Sequence, residues 1–331
     1  MLRILLCLLC VLATAPAQAQ EQRFLRIATG SASDIYFALG SLIASAISSP
    51  PGSRPCGEGG GCGVPGLIAV AQTSQGSFAN LSAIGAKQVE MGIAQADVAD
   101  WAYAGTGLFR DKGALANLRA VAALYQVTIQ LVVRRDALIT QVAGLRGKRV
   151  SLGPADSGPL LEARAILDAH GLREADIDAR LLPAELAIEQ LRDGRIDALF
   201  LFSVPPNDRV ADLAEDGVVD VLPIEGPPAA ALRALHPVLR DAQLPAGVYP
   251  GVVARRTLGI ATLLVCGAEV DENLVHALTK ALWHESAKAL LARGLPRGTV
   301  MRAELALDGV TIPVHPGAAR FYREAGIGAQ R

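Results

Sequence analysis

A chain of 331 residues with a formal net charge of −1 is long enough for two domains of ordinary size, and it has no basic run of the kind that grips nucleic acid. Its apolar content of 51% owes little to aromatics, which make up 4%; alanine and valine dominate, a mix that suits parallel strands covered by alanine-rich helices. Beyond the N-terminal segment no apolar run reaches spanning length: the longest, Leu258–Gly267, contains Thr262 and reads as a buried strand.

The first residues read as a secretory signal peptide over 1–19. Arg3 supplies the positive start, Ile4–Leu12 the short apolar run, and Ala17, Gln18 and Ala19 a small-x-small cleavage site, so the mature chain is expected to begin at Gln20 in the periplasm. The alternative, an N-terminal anchor, needs a longer apolar run. Cys10 follows Leu9 rather than a small residue, which argues against lipid attachment there.

From Phe24 onward, strands alternate with helices, which predicts an α/β fold with parallel sheets. An apolar strand, Leu25–Thr29, ends in a small polar loop holding Ser31 and Ser33, and a helix follows over Asp34–Ile47 with Tyr36 in its first turn. Cys56 and Cys62 flank a glycine-rich loop; in an exported chain they most simply form a disulfide, and a metal site is the rival, with no histidine or third cysteine close in sequence. Strand Leu67–Ala71 opens a second mouth of the same kind at Ser74, Ser77 and Asn80; strand Met91–Gln95 ends a third at Gln95 and Asp97. Two further strands are expected at Leu118–Leu124 and Gln130–Val133.

The first pattern recurs in the second half. Strand Arg149–Leu152 leads through a loop to Ser157 and Gly158, and a helix runs over Pro159–Ala169 and stops near Gly171. Strands Ala179–Leu182, Ala198–Phe202, Val218–Leu222 and Leu258–Val265, a helix Ala184–Arg192 and a long helical stretch Asp271–Leu291 complete the chain. Each mouth aims unpaired helix N–H groups and hydroxyls at whatever sits above the strand ends, so two facing mouths clamp a small polar or anionic molecule. For each serine or aspartate alone, capping its own helix is the simpler role. The polar stretch Asp136–Gly147 suggests a crossing between lobes near Gln130–Asp136, and the Pro/Gly-rich run Pro245–Gly251 a return crossing, which makes a hinge. The expected division is lobe I over 20–132 and 250–331 and lobe II over 133–249.

Signals for catalysis are weak. The literal G-x-G-x-x-G at Gly61, Gly63 and Gly66 follows a loop, contains Pro65 and precedes a strand, opposite to a dinucleotide site. Ser157 is not on a nucleophile elbow, and the five histidines are scattered without metal-ligand spacing. No enzyme activity, cofactor or resident metal is expected.

Segments spread over the whole mature chain resemble the solute-binding subunit of TAXI-type TRAP transporters, the tripartite ATP-independent periplasmic systems. They are residues 27–40, 72–80, 92–98, 104–109, 145–153, 193–199, 245–251 and 315–322, and their combination in this order carries the resemblance. The resemblance implies a two-lobe type II periplasmic binding protein fold with a hinge of crossing strands. It implies capture of a small carboxylate or amino acid, glutamate or glutamine among them, and delivery to a membrane permease driven by an ion gradient. It places ligand contacts at Ser31, Ser33, Tyr36, Ser74, Ser77, Asn80, Gln95, Asp97, Ser157, Gly158 and Tyr249. The 50–70 stretch with its two cysteines looks like an insertion found in one subgroup. Asp34 in the first loop and the run Asp156 to Pro159 in the second-lobe loop depart from the family pattern: two extra carboxylates near the mouth either disfavour a dicarboxylate or only favour their own helix N-termini, and Pro159 removes a hydroxyl and an N–H. An amino acid or neutral solute gains ground accordingly. The alternative is a periplasmic sensor that docks on a membrane receptor kinase.

Overall fold

The computed structural model describes residues 22–32, 35–155, 157–295 and 299–328. The signal peptide expected over 1–19 lies outside the described residues. In chain order the first half holds β1 (Arg23–Ala28), α1 (Ile35–Ile47), β2 (Leu67–Gln72), α2 (Ser77–Gly85), β3 (Met91–Gln95), α3 (Ala96–Ala104) and β4 (Leu118–Arg134). The middle holds β5 (Arg149–Ser151), α4 (Gly158–Ala169), β6 (Asp178–Arg180), α5 (Ala184–Arg192), β7 (Ala198–Ser203), α6 (Asp208–Glu215) and β8 (Val219–Leu222). Then follow α7 (Gly226–Leu235), β9 (Leu239–Leu244), β10 (Arg255–Gly267), α8 (Glu272–Leu282), α9 (Glu285–Gly294) and α10 (Pro316–Glu324).

Ten strands form one continuous sheet in the order β2-β1-β3-β10-β4-β7-β5-β6, with β8 added on β4 and β9 on β10. The pairs β1–β2, β1–β3, β5–β6 and β5–β7 are parallel, as the alternation of strands and helices predicts. The sheet as a whole is nevertheless mixed. β4 and β10 run antiparallel to each other and to β3, β7, β8 and β9, because they carry the chain between the two halves.

The two strands expected at 118–124 and 130–133 are one strand of 17 residues, buried along its length except near Gln126. It pairs with β10 up to Thr128 and with β7 from Thr128 on. One strand thus serves both halves, and its continuous apolar run is what burial on both faces demands. β9 escapes sequence reading because Arg240, Asp241 and Gln243 give it a polar, edge-strand composition. The helical stretch expected over 271–291 is two helices: α8 ends at Leu282, and the His284 side chain accepts from Ser286 N to start α9.

Each half has a core on both sheet faces. Leu39, Ile43, Ile47, Leu278, Leu282 and Tyr322 pack beneath β1 and β3, while Ile166, Leu167, Leu160 and Ile129 pack in the second half. The same clamp fixes the central strands of both halves. The Arg26 guanidinium grips Glu90 (Nη2 to Oε1 2.5 Å) while its own N–H donates to Glu90 Oε2 at 2.8 Å. Arg149 repeats this on Asp197, with Nη2 to Oδ1 at 2.5 Å and N to Oδ2 at 2.9 Å. In each case an arginine of the strand binds the carboxylate just before its neighbour, bidentately.

Candidate functional site

The carboxyl ends of β1, β2, β3 and β7 open on a cleft of about 890 Å³ between the two halves. Its walls include Tyr36, Gly76, Ser77, Gln95 and Val98 from one side, and Ser157, Gly158, Phe202, Ser203, Asn207 and Asp208 from the other. Tyr125 and Val127 of β4 also line it. Four helices begin here: Ile35 opens α1, Ser77 opens α2, Gly158 opens α4 and Asp208 opens α6. A helix N-terminus carries N–H groups without intrahelical partners and a partial positive charge. Among the described lining residues there is no lysine, arginine or histidine, and Asp208 is the one carboxylate. Among the described lining residues, positive potential therefore comes from backbone N–H groups.

Of the residues expected from sequence, Tyr36, Ser77, Gln95, Ser157 and Gly158 line this cleft together. Ser77 Oγ accepts from Gln95 N at 3.1 Å and so ties α2 to the end of β3. Ser157 caps α4: its hydroxyl donates to Pro154 O at 2.6 Å and accepts from Leu160 N at 3.3 Å. Gly158 packs against the opposite wall, where a methyl added to it would stand 3.2 Å from Asp97 Oδ2 and 3.3 Å from Val98 Cγ2. Ser31 sits on the exposed loop after β1, off the lining, and Ser33 lies outside the described residues.

Ser74 and Asn80 stand behind the wall. Asn80 is fully buried; its Nδ2 donates to Thr29 O at 2.6 Å and to Ile93 O at 2.7 Å, and its Oδ1 lies 2.5 Å from Ser74 Oγ. This amide bolts the ends of β1 and β3 to α2. Tyr249 is likewise buried, with its hydroxyl donating to Gln130 Oε1 at 2.6 Å and accepting from Asn207 N at 3.0 Å. Gln130 Nε2 reaches Ser203 O at 3.2 Å and Thr128 Oγ1 at 3.1 Å. Tyr249 thereby holds the loop whose Asn207 lines the cleft and caps α6 by accepting from Val210 N at 3.2 Å.

Asp97 is fully buried beneath the cleft floor, with Oδ1 accepting from Val98 N at 2.8 Å. Burial pushes its carboxyl up to about 7, and Asp100 raises it further against the pull of backbone N–H groups. Glu162, on α4 across the cleft and 2% exposed, is pushed up to about 8 by burial and by the charge of Asp97.

The residues that sequence reading passed over are those after β7, from Phe202 to Asp208. The signal was present: an apolar strand, a short loop with Pro205 and Pro206, and Asn207 at a helix start repeat the pattern of the other mouths. Cys56 and Cys62 form the expected disulfide, with Cα atoms 4.8 Å apart, and Cys266 is buried and free. The expectation that no histidine stands near them is corrected: the loop folds back on the start of α9, which brings a ring nitrogen of His284 within 4.8 Å of both sulfurs. Bonded to each other, these sulfurs offer no thiolate.

A model of the NMT1-like family matches residues 27–326 of the chain. Among solved structures, XAC2383 from Xanthomonas citri bound to ATP is similar at 14% identity and a TM-score of 0.53, over 91% of this chain and 94% of that one. The same protein bound to chloride gives 15% and 0.50, over 91% and 95%. A TctC solute-binding protein from Polaromonas gives 15% and 0.50, over 85% and 90%. The architecture is the two-lobe periplasmic binding protein fold, with β4 and β10 as the strands that cross between lobes. Among the described residues no helix is long and apolar enough to cross a membrane.

Proposed function

The chain belongs to the NMT1-like family, and on that premise we propose that it is an exported solute-binding subunit that captures a small carboxylate or amino acid in the cleft and delivers it to a membrane permease of the TRAP, TAXI-type class. The division we assign is lobe I over 20–132 and 250–331 and lobe II over 133–249; the change of partner of β4 at Thr128 supports a junction near the first boundary.

The convergence of four helix N-termini on a cleft with no cationic side chain among its described lining residues carries the reading. Such a site recognises a carboxylate through backbone N–H groups, and closure strengthens each bond by excluding water. Asp208 on the opposite wall suits an ammonium group, which favours an amino acid over a dicarboxylate. Tyr36, Ser77, Gln95, Ser157 and Gly158 are the residues we assign to contact; Ser31, Ser33, Ser74, Asn80, Asp97 and Tyr249 act around or behind them.

The test is a thermal-shift screen of amino acids and small carboxylates, glutamate and glutamine included, followed by calorimetric titration. A true solute at a hundredfold excess over its dissociation constant stabilises the protein by about 2.7 kcal/mol. Absence of a shift with every compound at millimolar concentration refutes this solute class.

A further inference from the structure

Asp97 and Glu162 lie on either side of the contact between the lobes, and among the described residues no cation answers either. Asp97 lies in the first turn of α3, and Glu162 lies one turn into α4 on the face of Gly158, where an added methyl would stand 3.2 Å from Asp97 Oδ2. Both side chains are more than nine-tenths buried, and Asp97 Oδ2 and Glu162 Oε2 each lack a hydrogen-bond partner among the described residues. The other charged group that acts on Asp97 is Asp100, again acidic, and Asp97 is the one that acts on Glu162.

Two desolvated carboxylates without a counter-ion do not both stay ionised; neutralising one removes the repulsion between them. We propose that Asp97 and Glu162 form a proton-binding site between the two lobes, and that closing the cleft takes up a proton from solution. The proton moves from bulk water to the carboxyl pair on closure. On opening, the lobes part, water reaches both carboxyls, each returns to the ordinary carboxylate range, and the proton leaves at neutral pH. The raised values belong to the arrangement described here, in which the two carboxyls are buried together, and agree with this sense. With one proton taken up, the closed-to-open ratio falls by up to about tenfold for each unit of rising pH between the ordinary carboxylate range and the raised values, and levels off above them. Acid therefore favours the closed form.

The inference rests on the two lobes closing over the proposed cleft and not on which solute enters it. Its test uses the proton alone as probe, so a failed solute screen and a failed proton test are separate results. X-ray scattering of the full solute-free protein from pH 5.5 to 8.0 is expected to show a radius of gyration that grows with pH. The double variant Asp97→Asn with Glu162→Gln, neutral and nearly isosteric, is expected to show a flat response. A wild-type radius that does not change, or a variant that follows the wild type, overturns the proposal. If the double variant fails to fold, infrared spectroscopy of the wild type decides. A protonated-carboxyl C=O band at pH 6.5, where exposed carboxyls are ionised, supports the site, and its absence overturns it.

Discussion

Tyr249→Phe removes one oxygen from the middle of the molecule and nothing else. The hydroxyl donates to Gln130 Oε1 at 2.6 Å and accepts from Asn207 N at 3.0 Å, in a site with 0% exposure. Phenylalanine fills the same volume, so no cavity opens, and the cost is that of leaving a buried amide oxygen and a buried N–H without partners. Each orphan costs about 1–3 kcal/mol, so the variant loses about 2–6 kcal/mol. For a chain of this size that corresponds to a melting temperature lower by at least about 3 °C. Burial pushes the Tyr249 hydroxyl up to about 12, so it stays a neutral donor and the loss is the same at pH 6 and pH 8. Calorimetric melting of both proteins at the two pH values reads this directly. The loosened Asn207 also weakens the α6 cap at the cleft wall, so solute affinity falls alongside stability. A loss under about 1 kcal/mol, or unchanged melting with lost affinity, refutes the reasoning and restores Tyr249 to the role of a direct ligand contact.

Cys56→Ser with Cys62→Ser opens a loop of sequence separation 6, worth about 2 kcal/mol by loop closure, read as a lower urea midpoint. A midpoint unchanged both in this variant and in reduced wild type sinks that expectation. Asp197→Asn tests the strand clamp: hydrogen bonds from Arg149 hold the Asp197 carboxyl below the usual range, against the opposing effect of burial. The native state thus binds this proton less tightly than the unfolded chain, so the stabilisation exists above the ordinary carboxylate range and is lost as pH falls through the lowered value. The variant is expected to be less stable than wild type at pH 7, by on the order of 1 kcal/mol, and equal to it in strong acid. A gap that persists below pH 3 contradicts the linkage.

What the sequence discloses about this fold is set by the range of the interactions involved. Strands such as Met91–Gln95 and helices such as Ala184–Arg192 are written in local apolar spacing and in the glycines that stop them, and they stand where that spacing puts them. The mouths are local too, since a strand end, a small polar loop and a helix start lie within about ten residues of one another. What stays hidden depends on partners far along the chain. Asn80 reads as part of a mouth because it follows a strand end, and Tyr249 as a contact from the resemblance alone; burial against Thr29, Ile93, Gln130 and Asn207 makes them bolts. The single long strand over 118–134 reads as two because Gln126 interrupts its apolar run, and only the pairing with β7 and β10 shows why it continues. The clamps are the sharpest case. Arg26 meets Glu90 at a separation of 64 residues and Arg149 meets Asp197 at 48, so no periodicity reveals either. Yet each joins an arginine on the strand of a mouth to the carboxylate that immediately precedes the adjacent parallel strand. The repetition of strand, mouth and helix visible in sequence thus has a counterpart in how the two lobes are fastened, which argues that each lobe positions its half of the cleft by the same rigid device, leaving motion to the crossing strands.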